Sequence, residues 1–468
     1  MTGSRRKTRK TNTPADMDEA LRQYIDLYEE HRALIDANGA GPLNALRPRA
    51  AEMLAAMRLP RRGDENFENI DLAALLAPDY GINLQKVPID VNTDMTFSCE
   101  VPVSSQSVMM NVNDTFASAV EAYDNLPDGV DVGSLREFAA LDPETVTARY
   151  GTLADMANPV VALDTLFAQD GLYLHVRKGV RLERPLQLVN ILSASMPLMA
   201  VRRVLVVIDD DAEARLLVCD HSQRDDVALM ALETIEIFVG RNARFDYYNI
   251  EESTESTVRL SALYVSQQAG SQVNIDGMTL FNGSTRNEYY CRFDGEEAGL
   301  RLYGMGIGDR ARVMSTYTRI DHSAPRCKSD ELFKFSVDDT STAAFTGRIY
   351  VAPGAVKTEA YQANRNLVGA PEAKMYSKPQ LEIYNDDVKC SHGCAIGQLD
   401  PMQVFYMRTR GLTEETARLL LRQAFMADVI AAVDVPSLRD RLRLLTERRF
   451  AGLQSACGRC TKCTRADD

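Results

Sequence analysis

Three kinds of reactive side chain crowd into residues 386–394: the carboxylates Asp386 and Asp387, the thiols Cys390 and Cys394, and the imidazole of His392. Cys390 and His392 are two apart, so an extended strand turns both to one face. There they are close enough to share a metal ion, or for the imidazole to lower the thiol pKa. Two thiols and one imidazole form a soft to borderline donor set suited to zinc or iron–sulfur. The competing reading is a buried strand end with a satisfied histidine and an inert thiol. Asp386 and Asp387 raise a rival, a polysaccharide-cleaving enzyme with paired carboxylates. Adjacent strand residues point to opposite faces, so this pair cannot flank one glycosidic bond.

A second thiol group stands at the end of the chain. Cys457, Cys460 and Cys463 have Cys-x-x-Cys-x-x-Cys spacing, which lets three sulfurs converge on one metal centre. Arg459, Lys462 and Arg465 favour thiolate there. A structural zinc site needs a fourth ligand, so the competing reading is a solvated tail with three free thiols. A cluster on this tail would make the chain an electron carrier, the alternative function class. Other motifs are weaker. His322 and Cys327 are five apart and read as loop structure, and His31, His175 and His221 are isolated. The glycines Gly304, Gly306 and Gly308 lie among strands with no helix after them, so they read as a tight turn rather than a dinucleotide fingerprint. No Gly-x-x-x-x-Gly-Lys-Ser/Thr run and no Gly-x-Ser-x-Gly elbow occurs, so neither ATP hydrolysis by a P-loop nor a serine-hydrolase reaction is expected.

Composition bounds the setting. The chain has 468 residues with a net charge of −13, which disfavours binding to a phosphate backbone. No run reaches the ~18 apolar residues of a membrane span, and the first 30 residues hold no apolar signal core. Nine cysteines are too few for a disulfide scaffold and point to a reducing, cytoplasmic compartment. The length allows two to four folded units, by a guide of roughly 100–200 residues per domain.

The elements that must position these residues follow from patterning. Residues 1–14 form a basic, solvated arm. Leu21, Tyr24, Ile25 and Tyr28 recur at helical spacing. Pro42 and Pro48 interrupt before a second helical run at 50–57, which the Leu59-Pro60 pair ends. Residues 134–140 and 145–150 read as short helices, the first with the capping pair Ser134 and Glu137. After Leu172, short β-rich runs follow one another to about Tyr384, with Asp276-Gly277, Asn282-Gly283 and Asp294-Gly295 as turn signals. This series suits an antiparallel sandwich or a β-helix, and its length favours the β-helix. From Thr413, a capped helix carries Ala417, Leu420, Leu421, Ala424 and Phe425 as one apolar stripe, and a further helix follows Pro436. The expected organisation is a helical and mixed α/β region at 15–170, a β core at 171–400, helices at 401–450 and a cysteine-rich tail at 451–468.

The sequence resembles the SufB/SufD family of iron–sulfur cluster assembly proteins over about residues 55–450. The carriers are the Leu59-Pro60-Arg61-Arg62-Gly63-Asp64-Glu65 segment, Asp321-His322 with Cys327, residues 345–349 and 357–364, and above all residues 378–411. It is similar to the SufD branch. SufB-like chains carry a sulfur-accepting cysteine near the position of Asn364, whereas residues 362–378 here hold none. Departures are Cys394, where the family usually has alanine, and residues 66–69, where a Trp-Lys pair is common. The cysteine tail is not a family feature.

The resemblance implies a right-handed parallel β-helix between an N-terminal mixed α/β domain and a C-terminal helical domain. It implies a non-catalytic scaffold that pairs with a SufB-like subunit, or with itself, and docks a SufC-like ABC-type ATPase through the helix at 413–433, with Thr413, Leu420, Leu421 and Phe425 on that element. It further implies that His392, with Cys390 beside it, forms the cluster-assembly interface, His392 as iron ligand or proton acceptor and Cys390 as second donor or redox thiol. Cys394 adds a thiol to that site. Iron or a cluster would be held transiently, with no tightly bound cofactor.

Overall fold

From Gly171 to Gly397, each strand hydrogen-bonds to the strand two ahead of it in sequence, not to the next one. That rule winds the chain into a parallel β-solenoid of about eight turns, each turn adding one strand to each of two ten-stranded sheets. The structure is a computed structural model, and it describes residues 18–89, 105–117, 123 and 126–453. Register is kept from turn to turn, so equivalent residues stack in columns. One column runs Leu302, Glu331, Gln362, His392. The lumen is filled by inward residues of both sheets, including Val204, Ile235 and Leu263 facing Leu216, Tyr247 and Ile275. Burying each such side chain contributes about 1.5–3 kcal/mol.

The outer faces are covered too. Helix Pro159–Phe167 lies on the first sheet with every residue buried, and Arg203 ties it down, donating to Asp164 at 2.8 Å and Glu236 at 2.9 Å. Helices Glu414–Ala431 and Pro436–Phe450 cover the second sheet through Met426, Val429, Ile430 and Leu442 against Leu280, Met305 and Ile307. Strands buried on both faces lose the apolar–polar alternation, and all eleven residues of Leu198–Ile208 are buried.

The two ends of the solenoid differ. At the N-terminal end, Val130–Ser134 runs antiparallel on Gly171–Val176, and Thr115–Phe116 folds back antiparallel on Ser107–Val112. Residues before 171 therefore contribute strands to the solenoid as well as helices. At the C-terminal end, Lys374–Ile383 and Val388–Gly397 each pair on one side only among the described residues.

Several local expectations need correction. Pro48 does not interrupt: it lies inside one helix, Gly41–Ala55, with Pro42 in its first turn. The lost hydrogen bond is offset by the helix's tertiary anchor, Arg47, fully buried and donating to the carbonyls of Leu166 and Ala168. The short helix expected at 145–150 is Pro143–Thr147. Gly304, Gly306 and Gly308 do not form a turn but lie in strand Gly299–Gly308, where the missing side chains leave lumen space for Phe333 and Phe335. Asp276-Gly277 is likewise inside a strand, Gln272–Phe281.

Candidate functional site

The last strand, Val388–Gly397, carries Cys390, His392 and Cys394 at alternate positions, and their register partners Ala360, Gln362 and Asn364 are all buried lumen residues. The three side chains therefore continue the lumen columns onto a turn that nothing covers among the described residues. His392 and Cys394 are exposed, and Cys390 is half-buried against the core. Inward residues of Lys374–Ile383 face them across the mouth. Ser377 donates to Asn364 at 2.7 Å, which joins the two sheets there.

The common face expected of Cys390 and His392 is present, but burial pushes the Cys390 thiol pKa up, so the structure holds it as a thiol rather than an activated thiolate. Successive positions on one strand face lie roughly 6.6 Å apart. Among the described residues, no group of three or more His, Cys, Asp or Glu side chains is placed to hold a metal ion. Asp386 and Asp387 occupy an exposed bend between the last two strands, with the Asp387 carbonyl accepting from the Lys357 amide. Cys457, Cys460 and Cys463 lie outside the described residues, as does the basic arm.

The remaining candidates belong to packing. His322 ends strand Val313–His322, not a loop; its ring lies 4.6 Å from Phe293, Nε2 is 2.9 Å from Ser329 Oγ, and burial pushes its pKa down to about 3. Cys327 is buried and points at the Gly295 carbonyl. Thr413 caps helix Glu414–Ala431, accepting from the Thr416 amide at 3.1 Å. On that helix the apolar residues divide: Ala417 is buried, Leu421 and Phe425 are half-buried, and Leu420 and Ala424 face outward. Phe425 packs over the buried ammonium of Lys334, which also donates to its carbonyl and to Asp428 at 2.6 Å.

Tyr384 just after the penultimate strand, Ile396 on the last strand, and Met402, Phe405 and Tyr406 on the helix Pro401–Thr409 that follows are 50–69% exposed. One turn in from the last strand, Gln362 donates to Glu331 at 2.6 Å, and burial raises the Glu331 carboxyl pKa to about 7. Sequence reasoning missed both residues. The signal lay in the parity of the strand pattern: counting by twos from the inward Phe333 and Phe335 reaches Glu331.

Two family models together match most of the chain. Residues 18–188 match the SufBD protein N-terminal region, and residues 190–425 match the SufBD core domain of the SUF system for FeS cluster assembly. The chain belongs to the SufBD family. A SufBD family iron–sulfur cluster assembly protein of Synechocystis is 27% identical over 92% of this chain and 98% of its own length. The SufD protein of Escherichia coli is 35% identical over 36% of this chain and 40% of its own, and that of Bacillus subtilis is 24% identical over 62% and 66%. The SufBD member described here is thus an iron–sulfur cluster assembly protein with SufD-like relatives. Among its described residues no helix is long and apolar enough to cross a membrane.

Proposed function

We propose that this chain is a SufD-like scaffold subunit that pairs its open solenoid end with the corresponding end of a SufB-like subunit, or of a second copy, and that a nascent cluster is held at the shared edge. The single observation that carries this is the bare end itself. Two ten-residue strand edges, with exposed Tyr384 and Ile396 on and beside them, are a standing template for another coil. The donors Cys390, His392 and Cys394 sit on that edge as an incomplete set, so a metal ion or cluster, the cargo of the process, takes its remaining ligands from the facing chain. His392 as a neutral imidazole serves as iron ligand or proton acceptor.

The helix Glu414–Ala431, clamped to the second sheet by Lys334, docks a SufC-like ATPase through its outward face, which includes Leu420. Movement of that helix is then transmitted to the solenoid. The reading includes a reducing, cytoplasmic setting, in keeping with the unpaired thiols of Cys390 and Cys394. The test is His392→Ala in the purified complex. Cluster assembly should fall at least tenfold while the subunits still co-purify, and unchanged assembly would remove His392 from the site.

A further inference from the structure

We infer that Gln362, held by Glu331, is a positioning residue for His392: its side-chain carbonyl accepts one imidazole N–H and leaves the other ring nitrogen free to face the partner chain. This rests on the reading of His392 as the working group of the open end.

Three observations carry it. First, Gln362 lies directly under His392 in the register of adjacent turns, which stack at roughly 4.8 Å. Second, the amide has one defined orientation. Above about pH 7, where Glu331 is ionised, its carboxylate can only accept, so the 2.6 Å bond selects Gln362 Nε2 and leaves Oε1 on the other branch. Gly347 opens the slot, since a β carbon there would come within 2.3 Å of that Nε2. Third, Gln362 is 2% exposed, yet its Oε1 has no hydrogen-bond partner. A buried acceptor without a partner costs about 1–3 kcal/mol. The group stacked on it in the next turn is the imidazole. Rotation of the His392 ring brings an N–H to that oxygen. An imidazole with one nitrogen so engaged has a fixed tautomer, and its second nitrogen carries the lone pair that a metal ion requires.

The chain holds only five histidines, so nitrogen NMR of the full-length protein labelled at histidine resolves His392, assigned by its loss in His392→Ala. In the wild type one tautomer should dominate. In Gln362→Leu, which keeps the volume and removes the acceptor, the tautomer ratio should shift several-fold toward that of a free imidazole. Glu331→Gln releases the amide orientation and should shift the ratio in the same direction, which keeps the test open if the leucine variant misfolds. A ratio unchanged in both folded variants would overturn the inference. The outcome is independent of cluster assembly: loss of activity in His392→Ala tests the site, whereas the tautomer tests Gln362. Where the site is confirmed, Gln362→Leu should lower assembly about 10- to 100-fold, the usual effect of losing a partner behind a metal-binding histidine.

Discussion

Gly304 and Phe333 are register partners in adjacent turns, and a β carbon on Gly304 would stand 2.2 Å from the Phe333 ring. The glycine exists to let that ring fill the lumen. Gly304→Ala should therefore overpack the core and cost about 1–3 kcal/mol, read as a lower urea midpoint at constant m value. A midpoint equal to that of the wild type would show that the lumen yields more easily than this contact implies.

Thiol chemistry should rank by burial. Cys394 is exposed, Cys390 is half-buried with a raised pKa, and Cys219, Cys291 and Cys327 are buried. Among these five cysteines, brief alkylation followed by mass spectrometry should label Cys394 first and leave the three buried thiols unmodified. If the open end pairs with a second coil, addition of the SufB-like subunit should protect Cys394. Equal labelling with and without it would argue that pairing occurs elsewhere.

Glu331 should leave a mark on the pH dependence of stability. Burial lifts its carboxyl to about 7, above the ordinary glutamate value, so the folded state holds the proton more tightly than the unfolded chain does. The associated stability is full at low pH and is lost as pH rises through about 7. Between pH 5 and 8 the wild type should lose on the order of 3 kcal/mol relative to Glu331→Gln. Parallel stability curves for the two proteins would contradict this.

The C-terminal helix offers a separation of folding from docking. Leu420 is 39% exposed on Glu414–Ala431, whereas Lys334 is buried beneath it. Leu420→Asp should leave the melting temperature nearly unchanged and abolish retention of an ABC-type ATPase in co-purification. Lys334→Ala should loosen the helix itself and accelerate limited proteolysis of residues 414–450. Retention of the ATPase by Leu420→Asp would move the docking surface off this face.

Much of this was legible in the sequence, for identifiable reasons. Ser134 and Thr413 cap the helices their spacing announces, because a cap is a local interaction. Cys390 and His392 share a face because strand parity is local too. The long-range features were not legible. Pro48 sits in an unbroken helix because Arg47 finds carbonyls more than a hundred residues away. The glycines of Gly299–Gly308 resemble turn residues until the rings stacked on them in the next turn are known. Gln362 and Glu331 gain meaning only from a register that places residues about thirty positions apart in one column.

If the open end pairs as proposed, the other end limits how far association goes. There the outermost described strands, Val130–Ser134 and Thr115–Phe116, run against the direction of the coil. A parallel coil would not continue across them, so such pairing would close at two molecules where a solenoid with like ends would polymerise into a filament.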